Sequence, residues 1–575
     1  MLFGSLTALL AIGATLHLVE AATSPPKAKT VNGTYVGYDL PEFQQQVFLG
    51  IPYAKSPPLS NPEPLTESWK GTRSAQKYGN ICPTQSDERI FKAVNATFSH
   101  DCLNLNIIRP ANVRAGDKLP VAVWLHGGGF FAGFGAESNT NTSYVIRASV
   151  ENKTPIITIT LNYRLGFLGF PGGPQAVAAG ITNLGLKDQR IALRWIQENI
   201  AAFGGDPAKV TLWGQSAGAI SITHQILAYG GEDSGLFRGG IAVSGTAGYG
   251  TNSLFPLSTH LTDGYNHIAN ASGCAGPEID DSLECLRKID AFTLYQAGWD
   301  AVNAGQAKGE IALYWWPAVD GDFIKEPPVS QLDAGRFPRN INLMTAEGPP
   351  PFLFPTARSS TIQKILSAYP VDAPSSPYSL PMKGADGKDP FCEAMQVANL
   401  TCEPQTRRMA SILGDFAFIS RRRHSAESFA KYGVKTYSYR FDTDPTDIPI
   451  SEVLAPGFAT HASEYTYFFG FPPDYNMYER NSPVVNVSSH LRLSRGIVDK
   501  LVSYIATGDP NTKKVDFMPK WTPYNVNSPK NMLFNATASN NKINVRLEED
   551  TWRKEGMALW SEYAFELDPG SKWRR

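Results

Sequence analysis

Ser216 sits in Gly214-Gln215-Ser216-Ala217-Gly218, a G-x-S-x-G pentapeptide. Val210 to Trp213 before it is an apolar, β-type run, and Ala217 to Leu227 after it suits a helix. A serine on a sharp strand-to-helix turn has its hydroxyl pushed out above the sheet edge, at the start of the following helix. Small residues at 214 and 218 let the two backbones pass closely. In that setting the chemistry is nucleophilic attack on a carbonyl carbon. Without partners, the same residues read as a glycine-rich turn with an incidental serine, so the partners decide.

A serine hydroxyl is a poor nucleophile at neutral pH. It needs a histidine to take its proton and a carboxylate to orient that histidine. The chain order serine, acid, histidine sets aside His17, His100 and His126, which precede Ser216. His461 lies in Gly457-Phe458-Ala459-Thr460-His461-Ala462-Ser463-Glu464, where small neighbours let an imidazole approach. His224, His260, His267, His424 and His490 lie in polar or helical settings and read as surface or packing residues. For the acid, Glu347 follows the strand-like Ile341 to Thr345, while Asp320 and Asp322 follow another β-like run and compete with it. Upstream, Val121 to Leu125 runs into His126-Gly127-Gly128-Gly129-Phe130. Consecutive glycines leave backbone N–H groups uncovered, able to point at a developing oxyanion. A flexible turn is the plain alternative; a phosphate loop would need GxxxxGK[ST], which is absent.

These residues need a frame. Strand-like runs recur at Leu103–Ile108, Val121–Leu125, Ile156–Leu161, Val210–Trp213, Ile241–Ser244, Ile341–Thr345 and Thr436–Phe441. Helical patterns fall between them, as in Asn183 to Phe203, where Leu193, Ile196, Ile200 and Phe203 share a face. This alternation predicts an α/β fold with a mostly parallel sheet, whose ligands sit at the carboxyl ends of strands. The glycine run and Ser216 both follow such ends. Further on, Thr406 to Tyr432 reads as a helix with Arg421-Arg422-Arg423-His424 on a solvated face. Leu493, Ile497, Leu501 and Ile505 mark another helix, and Tyr314-Trp315-Trp316-Pro317 is either pocket lining or core.

The 575 residues are 42% apolar and 18% charged, as in a globular chain with a large core, and no repeat or linker divides them. A net charge of −1 gives no global field for nucleic acid. Residues 1–22 read as a signal peptide, with an apolar Leu2 to Val19 followed by Glu20-Ala21-Ala22, and residues 23–575 as a single domain. No other segment is long and apolar enough to span a bilayer. The six cysteines fall into sequence-local pairs (82 and 102, 274 and 285, 392 and 402), which leaves connectivity open. Eight glycosylation sequons, at Asn32, Asn95, Asn141, Asn152, Asn270, Asn399, Asn486 and Asn535, fit an extracellular chain. Between Cys82 and Cys102, Ile90, Phe91, Val94 and Phe98 share a helical face, as a lid or a plain surface loop would.

The chain resembles the type-B carboxylesterase/lipase family, an α/β-hydrolase group that includes fungal lipases, sterol esterases, cholinesterases and the non-catalytic neuroligins. The resemblance rests on Gly50-Ile51-Pro52-Tyr53-Ala54, Asp101-Cys102-Leu103-Asn104-Leu105-Asn106, His126 to Phe130, Asn162-Tyr163-Arg164-Leu165-Gly166, Asn183 to Gln189, Phe203 to Pro207 and Gly214 to Ala219. Glu347-Gly348, His461 through Gly470 and Gly508-Asp509-Pro510 continue it, in order. It implies an α/β-hydrolase fold with a disulfide-closed, lid-like loop. Ser216 would be nucleophile, Glu347 acid and His461 base, with the N–H groups of Gly128, Gly129 and Ala217 forming the oxyanion hole. Cys82–Cys102 and Cys274–Cys285 would be the family's two usual disulfides and Cys392–Cys402 an addition. The chain departs from the family at Gln215, where Glu is frequent, and at Ala346, where Asp is frequent.

The resemblance implies a secreted carboxylic-ester hydrolase that needs no metal or cofactor and takes small-molecule or lipid esters. The Cys82–Cys102 loop holds no tryptophan to bind a quaternary ammonium, and it is short and mixed for an interfacial lid. Short- or medium-chain and aryl esters are therefore favoured, with a lipase or sterol esterase acting on long-chain lipid esters as the alternative. A neuroligin-like adhesion protein would lack the working serine.

Overall fold

The computed structural model describes residues 24–84, 95, 97–137, 140–247, 259–307, 315–345, 359–370, 408, 411–412, 414–415, 419–443, 463–472, 476–477, 480–481, 488–537 and 540–563. Glu347, His461, Cys392, Cys402, Asn399, Asn486, the signal peptide 1–22 and the apolar face at Ile90, Phe91 and Val94 lie outside them.

Among the described residues the frame is an 11-stranded mixed sheet. In chain order its strands are β1 Tyr38–Leu40, β2 Gln45–Pro52, β3 Asn104–Pro110, β4 Leu119–Leu125, β5 Ile157–Leu161, β6 Gly205–Gln215, β7 Gly239–Val243, β8 Asn342–Thr345, β9 Lys435–Phe441, β10 Lys530–Phe534 and β11 Arg546–Glu549. Across the sheet they run β1-β2-β3-β5-β4-β6-β7-β8-β9-β10-β11. Every pairing from β5 through β10 is parallel. The outer pairings, β1 to β3 with β5 on one side and β10 with β11 on the other, are antiparallel. The parallel block demanded by the strand–helix alternation is therefore present, and the sheet as a whole is mixed.

The helices used below are α1 Ser143–Glu151, α2 Leu184–Asn199, α3 Ala217–Gly231, α4 Thr259–Ala271, α5 Ala291–Ala307, α6 Ser420–Lys431, α7 Tyr465–Phe469 and α8 Ser488–Thr507. Strands covered on both faces read as continuous apolar runs, and β5 and β7 are buried at every residue. Side chains alternate between two cores. On β4, Val121, Val123 and Leu125 join the core shared with α2 and α3, while Ala122 and Trp124 join the core shared with α1, α7 and α8. Period-2 alternation thus feeds both helical layers.

Two buried charge clusters tie loops to this frame. Arg164, just after β5, meets Asp188 on α2 through two guanidinium–carboxylate contacts, at 2.8 and 2.6 Å, and both side chains are buried. The backbone N–H of Arg164 donates to the same carboxylate, and Nη1 donates to the carbonyl of Ser60. The second cluster corrects the solvated face expected at 421–424. Arg421, Arg422 and Arg423 are buried. Arg422 and Arg423 both donate to Asp550, which also accepts from the Tyr524 hydroxyl at 2.7 Å. This network holds Asp550 far below the usual carboxylate range: burial acts against the shift and the two guanidinium groups outweigh it. His424 sits at the rim, its Nε2 2.8 Å from Asp333.

Trp315 is core rather than pocket lining: it packs on Phe167 and donates to the Gly298 carbonyl. Disulfides join Cys82 to Cys102 and Cys274 to Cys285. The first closes a loop whose described ends pair through Ile81 and Phe98. Asp188→Ala leaves the Arg164 guanidinium buried without its carboxylate, and it should cost about 3–5 kcal/mol of stability. Urea unfolding of the variant beside wild type measures this.

Candidate active site

Ser216 follows β6 and precedes α3, with φ 54° and ψ −120°. A non-glycine residue rarely adopts this backbone, and it persists only where surrounding structure over-determines it. That structure is local and specific. The Ser216 N–H donates to the Val243 carbonyl of β7, and its carbonyl accepts from Ile220 in α3. A Cβ on Gly218 would collide with the Leu125 carbonyl, and one on Gly214 would stand 2.7 Å from the Gly218 backbone. Strand and helix pass close enough here that only glycine fits at either position.

The glycine run lies directly against this turn. A Cβ on Gly127 would lie 3.3 Å from the Ser216 Cβ. Gly128 and Gly129 take φ 98° and 61°, and the Gly128 carbonyl accepts from Phe131 and Ala132. Ala217, buried, is the first residue of α3. Ser216, Gly128, Gly129 and Ala217, four residues picked out in the sequence, thus belong to one place in the fold.

The loop is braced from beneath. His126 stacks on Tyr163, with ring centroids 4.2 Å apart, and Tyr163 donates its hydroxyl to the His126 carbonyl at 2.8 Å. The His126 Nδ1 lies 2.9 Å from the Gly127 carbonyl. A carbonyl only accepts, so Nδ1 carries the proton. Burial pulls the imidazole down to about 4, against the opposing effect of that hydrogen bond, so it is neutral at working pH. Asn162 accepts from the Gly135 N–H and donates to the carbonyls of Asn80 and Cys102. Asn106 donates to the Gly135 carbonyl and accepts from the Gly50 N–H. Tyr53 donates to the Asn162 carbonyl at 2.6 Å. The polar motif residues of the sequence thus satisfy the backbone of irregular loops that the fold buries.

The competing acid Asp320 has a bracing role. Its carboxylate accepts from Thr182, Asn183, and the N–H groups of Asp322 and Ile324. Among the other histidines, His224 is buried, and the desolvation lowers it to about 3. His490 is buried against the Tyr467 hydroxyl. Both are packing residues, as their helical settings suggested.

One pair escaped the sequence. Glu464, buried, accepts a hydrogen bond from Ser244, the residue after β7. Glu464 is three positions past His461 in the sequence, and Val243 beside Ser244 holds the Ser216 N–H. Just after Glu464, Phe469 of α7 stacks on Trp213 at 4.7 Å and meets Trp124 edge-on at 5.0 Å. The stretch from Glu464 to Phe469 is thereby clamped to the strands that carry Ser216 and the glycine run. Small residues followed by a glutamate three positions past the histidine were the only available signal.

This fold and this elbow define an α/β-hydrolase. The carboxylesterase family profile matches residues 24–553, and the chain belongs to the carboxylesterase family. It is 31% identical over 478 residues to Lipase 2 of Geotrichum candidum, covering 72% of this chain and 79% of the relative. Secreted lipase 1 of Botryotinia fuckeliana is 33% identical over 443 residues, covering 68% and 73%. The crystal structure of Aspergillus niger EstA shares the fold with a TM-score of 0.74 at 24% identity, covering 95% of this chain and 99% of that one. The protein is a carboxylic-ester hydrolase of this family. Among the described residues, no helix is long and apolar enough to cross a membrane.

Burial raises the Glu464 carboxyl from 4.5 to about 7, while the Ser244 hydrogen bond opposes the shift. The folded state therefore holds a proton that the unfolded chain releases at lower pH. This contribution to stability is full below 4.5 and is lost as pH rises through about 7. Glu464→Gln, which mimics the neutral acid, should remove a loss of about 3 kcal/mol across that window. Urea unfolding at a series of pH values reads the difference, and parallel wild-type and variant profiles would refute it.

Proposed function

We propose that the protein is a secreted esterase in which Ser216 is the nucleophile, His461 the general base and Glu347 the orienting acid. The strained Ser216 turn against the glycine run is the observation that carries this reading. Support for Glu347 comes from β8, which ends at Thr345 and lies two strand spacings from β6, roughly 10 Å. A gap of that size is one that a single imidazole can bridge between a serine and a carboxylate. Support for His461 comes from the Glu464 clamp.

In the reaction, Ser216 Oγ attacks the ester carbonyl while His461 takes its proton. The N–H groups of Gly128, Gly129 and Ala217 hold the oxyanion. The first N–H groups of α3 have no acceptor within their own helix, which suits Ala217 to this role. His461 then protonates the leaving alcohol, and water, activated by the same imidazole, hydrolyses the acyl-enzyme. Secretion is supported by the leader, the disulfides and the secreted relatives.

Aryl, or short- to medium-chain, esters suit the wall beside the oxyanion loop. The half-buried Phe131 ring lies against Gly129 and 5.5 Å from Trp299 of α5. Tyr295 on the same helix donates to the Phe131 carbonyl at 2.6 Å. The lipase names of the relatives favour long-chain lipid esters as a second reading.

Ser216→Ala should lower kcat on p-nitrophenyl esters by about 10⁴-fold or more. Serine-independent hydrolysis would remove the reading. Chain lengths from acetate to palmitate separate the two substrate classes: a maximum at long chains, with a jump above the solubility limit, selects the lipase. Trp299→Ala should cost about 1 kcal/mol of kcat/KM on aryl-acyl esters relative to acetyl esters. Equal losses on both would show that the wall does not read the ring.

A further inference from the structure

Away from the Ser216 turn, a groove of about 510 Å³ opens between α4 and the segment closed by the Cys274–Cys285 disulfide. Its rim carries Gln175, Asn266, Asn270 and Asp280, all exposed, and its floor includes Tyr265 and Ala269, both buried. It shares no residue with the site described above. The walls are fixed: Tyr265 and Ser282 join hydroxyls at 2.9 Å, and Asp281 caps the next helix through the N–H groups of Leu283 and Glu284.

We propose that Asn270 carries an N-linked glycan and that this groove seats the first sugars of that glycan. Asn270-Ala271-Ser272 is a sequon on the groove's own lip. The Asn270 side-chain nitrogen donates one hydrogen bond, to the Asn266 carbonyl at 2.8 Å. A glycosylated amide keeps one N–H, so the modified side chain retains a donor for this single bond. Asn32 is the contrast. It is 9% exposed, and its nitrogen donates to both the Leu65 and Glu67 carbonyls, so a glycan would break one of them.

Attachment uses a lipid-pyrophosphate oligosaccharide of the secretory route, on which the proposal rests. The bond from Nδ2 to the sugar C1 forms, the C1–O bond to phosphate breaks, and the amide proton leaves. The groove's volume is within the range that takes small ligands, about 300–1,000 Å³. Its chemistry matches a linked pair of N-acetylhexosamines. Amide and carboxylate groups on the rim meet hydroxyls and N-acetyl N–H groups, which suits the predominantly polar lining.

The test is to secrete the full chain from a eukaryotic host, map occupied sequons by peptide mass spectrometry, and time enzymatic glycan release from the native protein. The Asn270 peptide should be occupied and the Asn32 peptide unmodified. A Gln175→Ala/Asp280→Ala double variant should release the Asn270 glycan about tenfold faster, the effect of one or two lost hydrogen bonds. Both positions are exposed, and unchanged ester hydrolysis reports that the variant is folded. An empty Asn270 in secreted, active protein overturns the proposal, whatever the other sequons carry. Equal release from wild type and variant overturns the seat.

Discussion

The close passage of β6, α3 and the end of β4 is the constraint around which this molecule is built. Ser216 can hold φ 54° because Gly214 and Gly218 let the helix backbone press against the Leu125 carbonyl. Such a residue stores roughly 1–3 kcal/mol of strain, which the surrounding sheet must offset. A parallel block buried on both faces is stiff enough to do so. The turn also sets the Ser216 Cβ beside the loop that leaves β4, where a Cβ on Gly127 would lie 3.3 Å from it.

Irregular backbone around that turn is made rigid by polar groups rather than by more sheet. Asn162, Asn106, Tyr53 and Tyr163 each satisfy loop carbonyls or N–H groups that burial would otherwise leave unpaired. His126 works as a neutral, buried donor and stacking surface. The Arg164–Asp188 pair ties the loop after β5 to α2. Large aromatic rings supply the remaining stiffness: Trp124, Trp213 and Phe469 lock three separate stretches of chain on the far face of the sheet.

The groove at Asn270 belongs to a different layer of the molecule. It is walled by α4 and a disulfide-closed segment, its rim is polar, and none of its lining residues belongs to the Ser216 turn or the glycine run. A surface of this kind bears on the solubility of the chain.

Features that depend on neighbours in the chain are legible without the fold. The elbow pentapeptide, the glycine run, the buried strands and their order of alternation with helices are all local patterns, because strain, glycine placement and apolar periodicity act over a few residues. Glu347 and His461 were legible as candidates from the strand end and the small-residue loop, although only their flanks, Thr345 and Glu464, are described in three dimensions. Tertiary structure alone decided what depended on distant partners. Arg422 looked like a solvated charge until Asp550, 128 residues later, was folded against it. Ser244 and Glu464 stand 220 residues apart and carry no local signature. Asp320 looked like a possible acid until Thr182 and Asn183 filled its carboxylate. The reason is common to all three: the behaviour of a charged or polar group is set by its dielectric surroundings and hydrogen-bond partners, and those are properties of the packed molecule rather than of the chain near the group.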